Sequence, residues 1–178
     1  RVRRNRVSLD GLHVAVIGGG NTAVDSARSA KRVGARSVRI LYRRTRAEMP
    51  AIDEEIDEAL AEGVMLDELV TPLHLRSDSV GPLLTCTRMR LGDPDESGRR
   101  RPVPETTEDA QFDVRCDRII LALGQSADPS ILPQGMDRRN GALLLEPSAA
   151  PVFVCGDFAT NEGTVAAAPL STFRWQKV

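Results

Sequence analysis

The residues best suited to chemistry lie at two short stretches, 18–23 and 43–44. Gly18, Gly20 and Ala23 are spaced Gly-x-Gly-x-x-Ala. The glycines stand where a side chain would collide with a tight turn or with a bound pyrophosphate, and Ala23 lets a helix pack closely. Free backbone N–H groups at a helix N-terminus, helped by the helix dipole, would then hold the phosphates of a dinucleotide. A turn of this kind can also be purely structural, and alone it is a weak signal. Arg43 and Arg44 close the next apolar run, at the point where an NAD-binding chain usually carries Asp or Glu for the ribose hydroxyls. An acidic side chain would repel a 2′-phosphate, whereas a guanidinium fork can hold one through paired charge-assisted hydrogen bonds. The pair therefore favours NADPH over NADH. The competing reading is that both arginines only solvate a strand end, since arginine is abundant in this chain.

No side chain stands out as a nucleophile or as half of a general acid–base pair, and hydride transfer between cofactors needs neither. No catalytic residue is expected. His13 and His74 have no partners at a recognisable spacing and read as structural or surface histidines. Glu54, Glu55, Asp57 and Glu58 read as a solvated helix face. Cys86, Cys116 and Cys155 are scattered singly, without a Cys-x-x-Cys pair, and read as reduced packing residues; no metal site is expected.

The elements that must position these groups follow from periodicity. Leu12, Val14, Val16 and Ile17 form a short strand that ends in the glycine turn, and Ala23, Ala27 and Ala30 follow at helical spacing up to a stop at Gly34. Residues 37–42 (SVRILY) give a second strand, so 12–42 form one β-α-β unit. Pro50 suits the first turn of a helix carrying Ile52, Ile56, Ala59 and Leu60 on one face, stopped by Gly63. Residues 64–75 and 83–91 read as two strands, the second entering the turn-rich run GDPDESGRRRP. Phe112, Val114 and Cys116 alternate with polar residues as in a half-buried strand. Residues 119–123 are continuously apolar, as in a strand buried on both faces where a parallel sheet resumes. Residues 125–151 carry four prolines and read as irregular, and a last buried strand, 152–155, ends in Gly156-Asp157.

Composition sets the outer limits. Of 178 residues, 41% are hydrophobic and 28% charged, a balance that supports a packed core and solvated surface rather than disorder. The net charge of −1 provides no overall field for nucleic acid or an anionic membrane. No apolar run approaches the roughly 20 residues needed to span a bilayer, and the basic N-terminus lacks the apolar core of a signal peptide. A cytoplasmic location is the default. Because residue 1 is Arg, the chain is expected to be part of something longer.

Six segments in register, VAVIGGGNTAVDSAR, LYRRTRAEMPA, EEIDEALAEGV, RLGDPDESGRRRPVP, LALGQ and VFVCGD, together resemble the small subunit of glutamate synthase and its relatives. These include the NADPH-binding portion of dihydropyrimidine dehydrogenase. The resemblance spans roughly residues 12–168. It implies an NADPH domain inserted into an FAD domain, with hydride passing from nicotinamide to flavin and electrons leaving through iron-sulfur clusters or a large catalytic subunit. By resemblance, Gly18, Gly20, Asn21, Thr22 and Ala23 bind the pyrophosphate and Arg43 and Arg44 the 2′-phosphate. Ala122, Leu123 and Gly124 then form the strand-end turn beside the nucleotide. Gly156 and Asp157 match the flavin-ribityl motif, and Thr164 and Val165 open the helix facing the flavin.

The expected fold class is therefore α/β. It comprises a Rossmann-like parallel sheet with an antiparallel β insertion (12–126), the C-terminal portion of an FAD-binding domain (127–168) and an atypical tail (169–178). The glycine turn that would complete an FAD site is expected in a preceding segment, along with the iron-sulfur domain. Two other readings compete. One is a noncatalytic NADPH-sensing module, which would have no need of the Gly156-Asp157 motif. The other is a simple dehydrogenase, for which a substrate-acting Tyr, Lys, His or Cys is missing.

Overall fold

The computed structural model describes residues 8–94, 100–124, 137–139 and 142–144. The chain divides into two units, Arg1–Gly124 and Gln125–Val178. The first holds a parallel sheet of four strands: β1 (His13–Ile17), β2 (Ser37–Tyr42), β3 (Met65–Glu68) and β8 (Arg118–Leu121). They lie side by side in the order β3-β2-β1-β8. Ile17 pairs with Leu41 and with Leu121, so the C-terminal ends of three strands share one edge.

Period-2 alternation in β1 decides what covers each face of this sheet. Val14 and Val16 point one way, with Val38 and Ile40 of β2. They form a core with α1 (Asn21–Arg32) and α2 (Asp53–Ala61), into which Ala23, Val24, Ala27 and Ala30 of α1 and Ile56 and Ala59 of α2 are buried. The small residues of α1 bring its axis close to the strands. Ala15, Ile17 and Leu41 point the other way and meet Val70, Leu84, Cys86, Val114 and Cys116. All of these but Cys116, which follows the last strand, belong to a second, antiparallel sheet formed by β4 (Val70–Ser77), β5 (Pro82–Pro94), β6 (Arg100–Pro104) and β7 (Gln111–Arg115). The long β5 pairs with β4 along one side and with β7 and then β6 along the other. Helices, parallel sheet and antiparallel sheet make three layers, the mixed α/β architecture expected.

Several sequence expectations are corrected. The run 64–75 is two strands in two different sheets. Leu69 stands between them with φ 55°, donates its N–H to the Arg44 carbonyl at 3.0 Å and accepts the Met89 N–H at 2.7 Å. A bulky side chain in this left-handed region is unfavourable, and neither Gly, Pro nor Asn marks the break in the sequence at Leu69.

Pro50 precedes α2, which begins at Asp53 after a short 3-10 turn at Arg46–Glu48. Residues 119–123 are not buried on both faces. Strand β8 is the outer strand among the described residues, with Leu121 68% and Leu123 70% exposed. The stretch 125–151, read as irregular, contains an antiparallel hairpin of β9 (Asp137–Arg139) and β10 (Ala142–Leu144). Glu55 is half-buried rather than solvated, while Asp57 and Glu58 pair with Arg46 and Arg28.

Candidate nucleotide site

Strand β1 runs into the glycine turn at the C-terminal edge of the parallel sheet, and each of its three glycines has a different neighbour. Gly18 has φ 146°, and a Cβ there would overlap the Ala122 carbonyl. A Cβ on Gly19 would overlap the Tyr42 ring. A Cβ on Gly20 would find only Pro50 Cγ, at 4.0 Å. Two of the glycines are thus required by the protein itself. The third fronts open space in the cradle where a pyrophosphate would sit.

Gly20 is the N-cap of α1 and makes no side-chain capping bond. Its carbonyl accepts the N–H of Ala23 at 2.8 Å and of Val24 at 3.2 Å. The N–H groups of Asn21 and Thr22 come too early in the helix for an intrahelical acceptor and remain available to an anion. The Asn21 side chain also ties two helices together, since its Oδ1 accepts the Ile52 N–H at 3.0 Å and so fastens the start of α2 to the start of α1. The Ala51 N–H donates to the Gly19 carbonyl at 3.2 Å and reinforces that seam.

Arg43 and Arg44 leave β2 at the same edge but sit differently. Arg43 is exposed, whereas Arg44 is only 8% exposed and its Nε has no hydrogen-bond partner. A buried guanidinium N–H left unpaired costs about 1–3 kcal/mol, so Arg44 is held in place by packing at that cost. Beyond Arg44 the turn is fixed by a capping box. Thr45 N–H and Oγ1 both donate to Glu48 Oε2, at 3.2 and 3.1 Å. The Arg46 N–H donates to Glu68 Oε2 at 2.8 Å. The Thr-x-x-Glu spacing was available in the sequence as a signal for this turn.

Ala122 follows β8 and donates its N–H to the Ile17 carbonyl at 2.8 Å, so it abuts the glycine turn; Gly124 has φ 90°. Gly18, Gly20, Asn21, Thr22, Ala23, Arg43, Arg44 and Ala122 are thus gathered at one sheet edge. Gly156, Asp157, Thr164 and Val165 lie outside the described residues, as do Cys155 and the 169–178 tail.

The histidines lie elsewhere. His13 opens β1 at the opposite edge in a structural setting: its Nδ1 is 2.6 Å from Ser37 Oγ and its backbone N–H donates to Asp117 Oδ2 at 2.7 Å. His74 is exposed in β4. Cys86 and Cys116 are free and buried. Burial pushes the Cys86 thiol up to about 11 and the Cys116 thiol upward as well, which leaves both protonated at neutral pH and unlike reactive thiolates. Among the described residues no helix is long and apolar enough to cross a membrane, and no group of three His, Cys, Asp or Glu could hold a metal.

In class, a glycine turn at the C-terminal edge of a helix-covered parallel sheet, with an antiparallel layer behind it, is a dinucleotide-type α/β domain. Solved structures share this fold. FprA from Mycobacterium tuberculosis in complex with NADPH superposes with a TM-score of 0.69 at 14% identity, over 93% of this chain and 51% of that one. Thioredoxin reductase from T. acidophilum gives 0.63 at 16% identity, over 92% and 50%.

Residues 2–171 match the pyridine nucleotide-disulphide oxidoreductase family, and the chain belongs to it. It is 45% identical to the NADP(+)-dependent formate dehydrogenase subunit beta of Moorella thermoacetica, over 89% of this chain and 23% of that protein. It is 45% identical to the NADPH-Fe(3+) oxidoreductase subunit beta of Geobacter sulfurreducens, over 71% and 19%. It is 37% identical to the small chain of glutamate synthase (NADPH) of Azospirillum brasilense, over 85% and 32%. The resemblance carried by the six sequence segments therefore holds. It spans 19% to 32% of the length of these curated relatives.

Proposed function

We propose that this chain is the NADPH-binding module of a flavin-dependent oxidoreductase similar to the glutamate synthase small chain. The observation that carries this reading is the arginine pair, Arg43 exposed and Arg44 buried, leaving β2 at the same sheet edge as the open face of Gly20. The first would meet a 2′-phosphate and the second a pyrophosphate, and a dinucleotide carrying both is NADP(H).

In this arrangement the Asn21 and Thr22 N–H groups hold the pyrophosphate at the positive end of α1. Arg44, with the exposed Arg43 beside it, neutralises the 2′-phosphate. Ala122, Leu123 and Gly124 border the nucleotide from β8. NADPH when bound supplies a hydride, and the chain's part is to fix the nucleotide's position and charge rather than to move a proton.

The relatives' names support an electron route through further subunits. FAD is the proposed hydride acceptor, with Gly156 and Asp157 at its ribityl chain and Thr164 and Val165 at the helix facing its ring. Iron-sulfur clusters or a large catalytic subunit would take the electrons onward. Residues 12–126 form the proposed NADPH domain and 127–168 a portion of the FAD domain, with 169–178 as a tail. The test uses two adenine nucleotides that differ at the 2′ position: 2′,5′-ADP should compete with NADPH for the chain, and 5′-ADP should compete far less. Equal competition by the two would remove the 2′-phosphate contact from the account.

A further inference from the structure

Tyr42 is the last residue of β2, immediately before the two arginines, and it is buried although it lies at the sheet edge. Its ring fills the space that a Cβ of Gly19 would need, so it packs against the backbone of the glycine turn. Its hydroxyl donates to the Glu48 carbonyl at 2.8 Å. Glu48 is the residue whose carboxylate closes the capping box on Thr45, directly after Arg44.

One side chain therefore touches both halves of the candidate site. Its face sets where the pyrophosphate turn lies, and its tip sets where the turn that follows the arginines lies. From that turn the chain returns through Ala51 and Ile52 to Gly19 and Asn21, which closes a ring of contacts around the 43–52 segment. With the ring kept and the hydroxyl removed, the pyrophosphate turn stays packed while the arginine turn loses the tether that links it to that packing.

We propose that Tyr42 is a positioning residue that sets the spacing between the pyrophosphate turn and the arginine pair, and so contributes to preference for a 2′-phosphorylated nucleotide. The inference rests on the reading of Arg43 and Arg44 given above. Tyr42 touches no reacting atom; it acts through the segment it holds.

The test is titration of the full chain with NADP+ and with NAD+, combined with thermal unfolding. Tyr42→Phe should weaken NADP+ about fivefold, as expected for one hydrogen bond worth roughly 1 kcal/mol net, and leave NAD+ affinity within about twofold. Thr45→Ala, which removes the Oγ1 bond of the capping box and keeps its backbone N–H bond, should shift the NADP+ to NAD+ ratio in the same direction, and it carries the test of the tethered turn if Tyr42→Phe fails to fold. An unchanged ratio in the folded variants, or an equal loss for both nucleotides, would overturn the role of Tyr42 while leaving the arginine reading intact. A wild-type chain that shows no preference for NADP+ would overturn the arginine reading, and this inference with it.

Discussion

Gly18 and Ala122 meet backbone to backbone at the edge of the parallel sheet: a Cβ added to Gly18 would lie 2.9 Å from the Ala122 carbonyl carbon and overlap its oxygen. Gly20, two residues on, has no such neighbour. Two glycines of one motif should therefore fail in different ways. Gly18→Ala combines a φ of 146° with a backbone clash and should cost about 2 kcal/mol or more of stability. Gly20→Val, at φ −90°, should cost about 1 kcal/mol or less, as for a poorer N-cap, yet abolish nucleotide binding. Thermal unfolding and titration on the same samples separate the two. A Gly20 variant that unfolds would make that position structural.

Leu69 holds its left-handed conformation because its N–H and carbonyl bond Arg44 and Met89, in two different layers. Leu69→Gly should remove about 1–2 kcal/mol of backbone strain and lose a similar amount of contact from a half-buried side chain, leaving stability close to wild type. Leu69→Val, β-branched and less suited to positive φ, should be clearly less stable than Leu69→Gly. The reverse order in chemical denaturation would contradict the strain assignment.

Acid should loosen the β4–β5 turn in a particular window. The Arg115 guanidinium, together with the N–H groups of Val80 and Gly81, holds the Asp78 carboxyl well below the usual carboxylate range. A carboxyl with a depressed folded-state pKa contributes stability that is fully present above its unfolded value, about 3.9, and is lost as pH falls toward the lower folded value. Melting temperatures measured from pH 7 to pH 2 should fall more steeply below pH 4 for wild type than for Asp78→Asn. Parallel curves would remove this carboxylate from the account.

Cys86 and Cys116 should resist alkylation in the native chain at pH 7.5 and react fully in denaturant, because burial raises both thiols. Peptide mapping after labelling reads each cysteine separately, and rapid native labelling of Cys86 would show that the two-sheet core opens.

Much of this was legible in the residues. The apolar run Leu12, Val14, Val16 and Ile17 foretold the first strand, and Gly18, Gly20 and Ala23 foretold the turn and the close helix. The break at Leu69 was not legible, since a leucine is not expected at a left-handed turn and no Gly, Pro or Asn marks it. The exposure of Leu121 and Leu123 was hidden for a related reason: an apolar run records which residues prefer burial, whereas strand order decides which obtain it. Arg43 and Arg44 looked equivalent in sequence, and only packing made one exposed and the other buried with an idle Nε. The role of Tyr42 was missed because an aromatic at a strand end reads as core, and its reach to Glu48 depends on a turn whose path the sequence marks only through Thr45 and Glu48.

The most direct test of the central claim is calorimetric titration of the chain with NADP+ and NAD+, in wild type and in the Arg43→Ala, Arg44→Ala double variant. Two charge-assisted contacts at roughly 1.5–3 kcal/mol each predict that wild type binds NADP+ more tightly than NAD+ by at least tenfold. The double variant should lose most of that difference while keeping its affinity for NAD+. Equal affinity of the wild-type chain for both nucleotides would contradict the assignment of this site to NADPH.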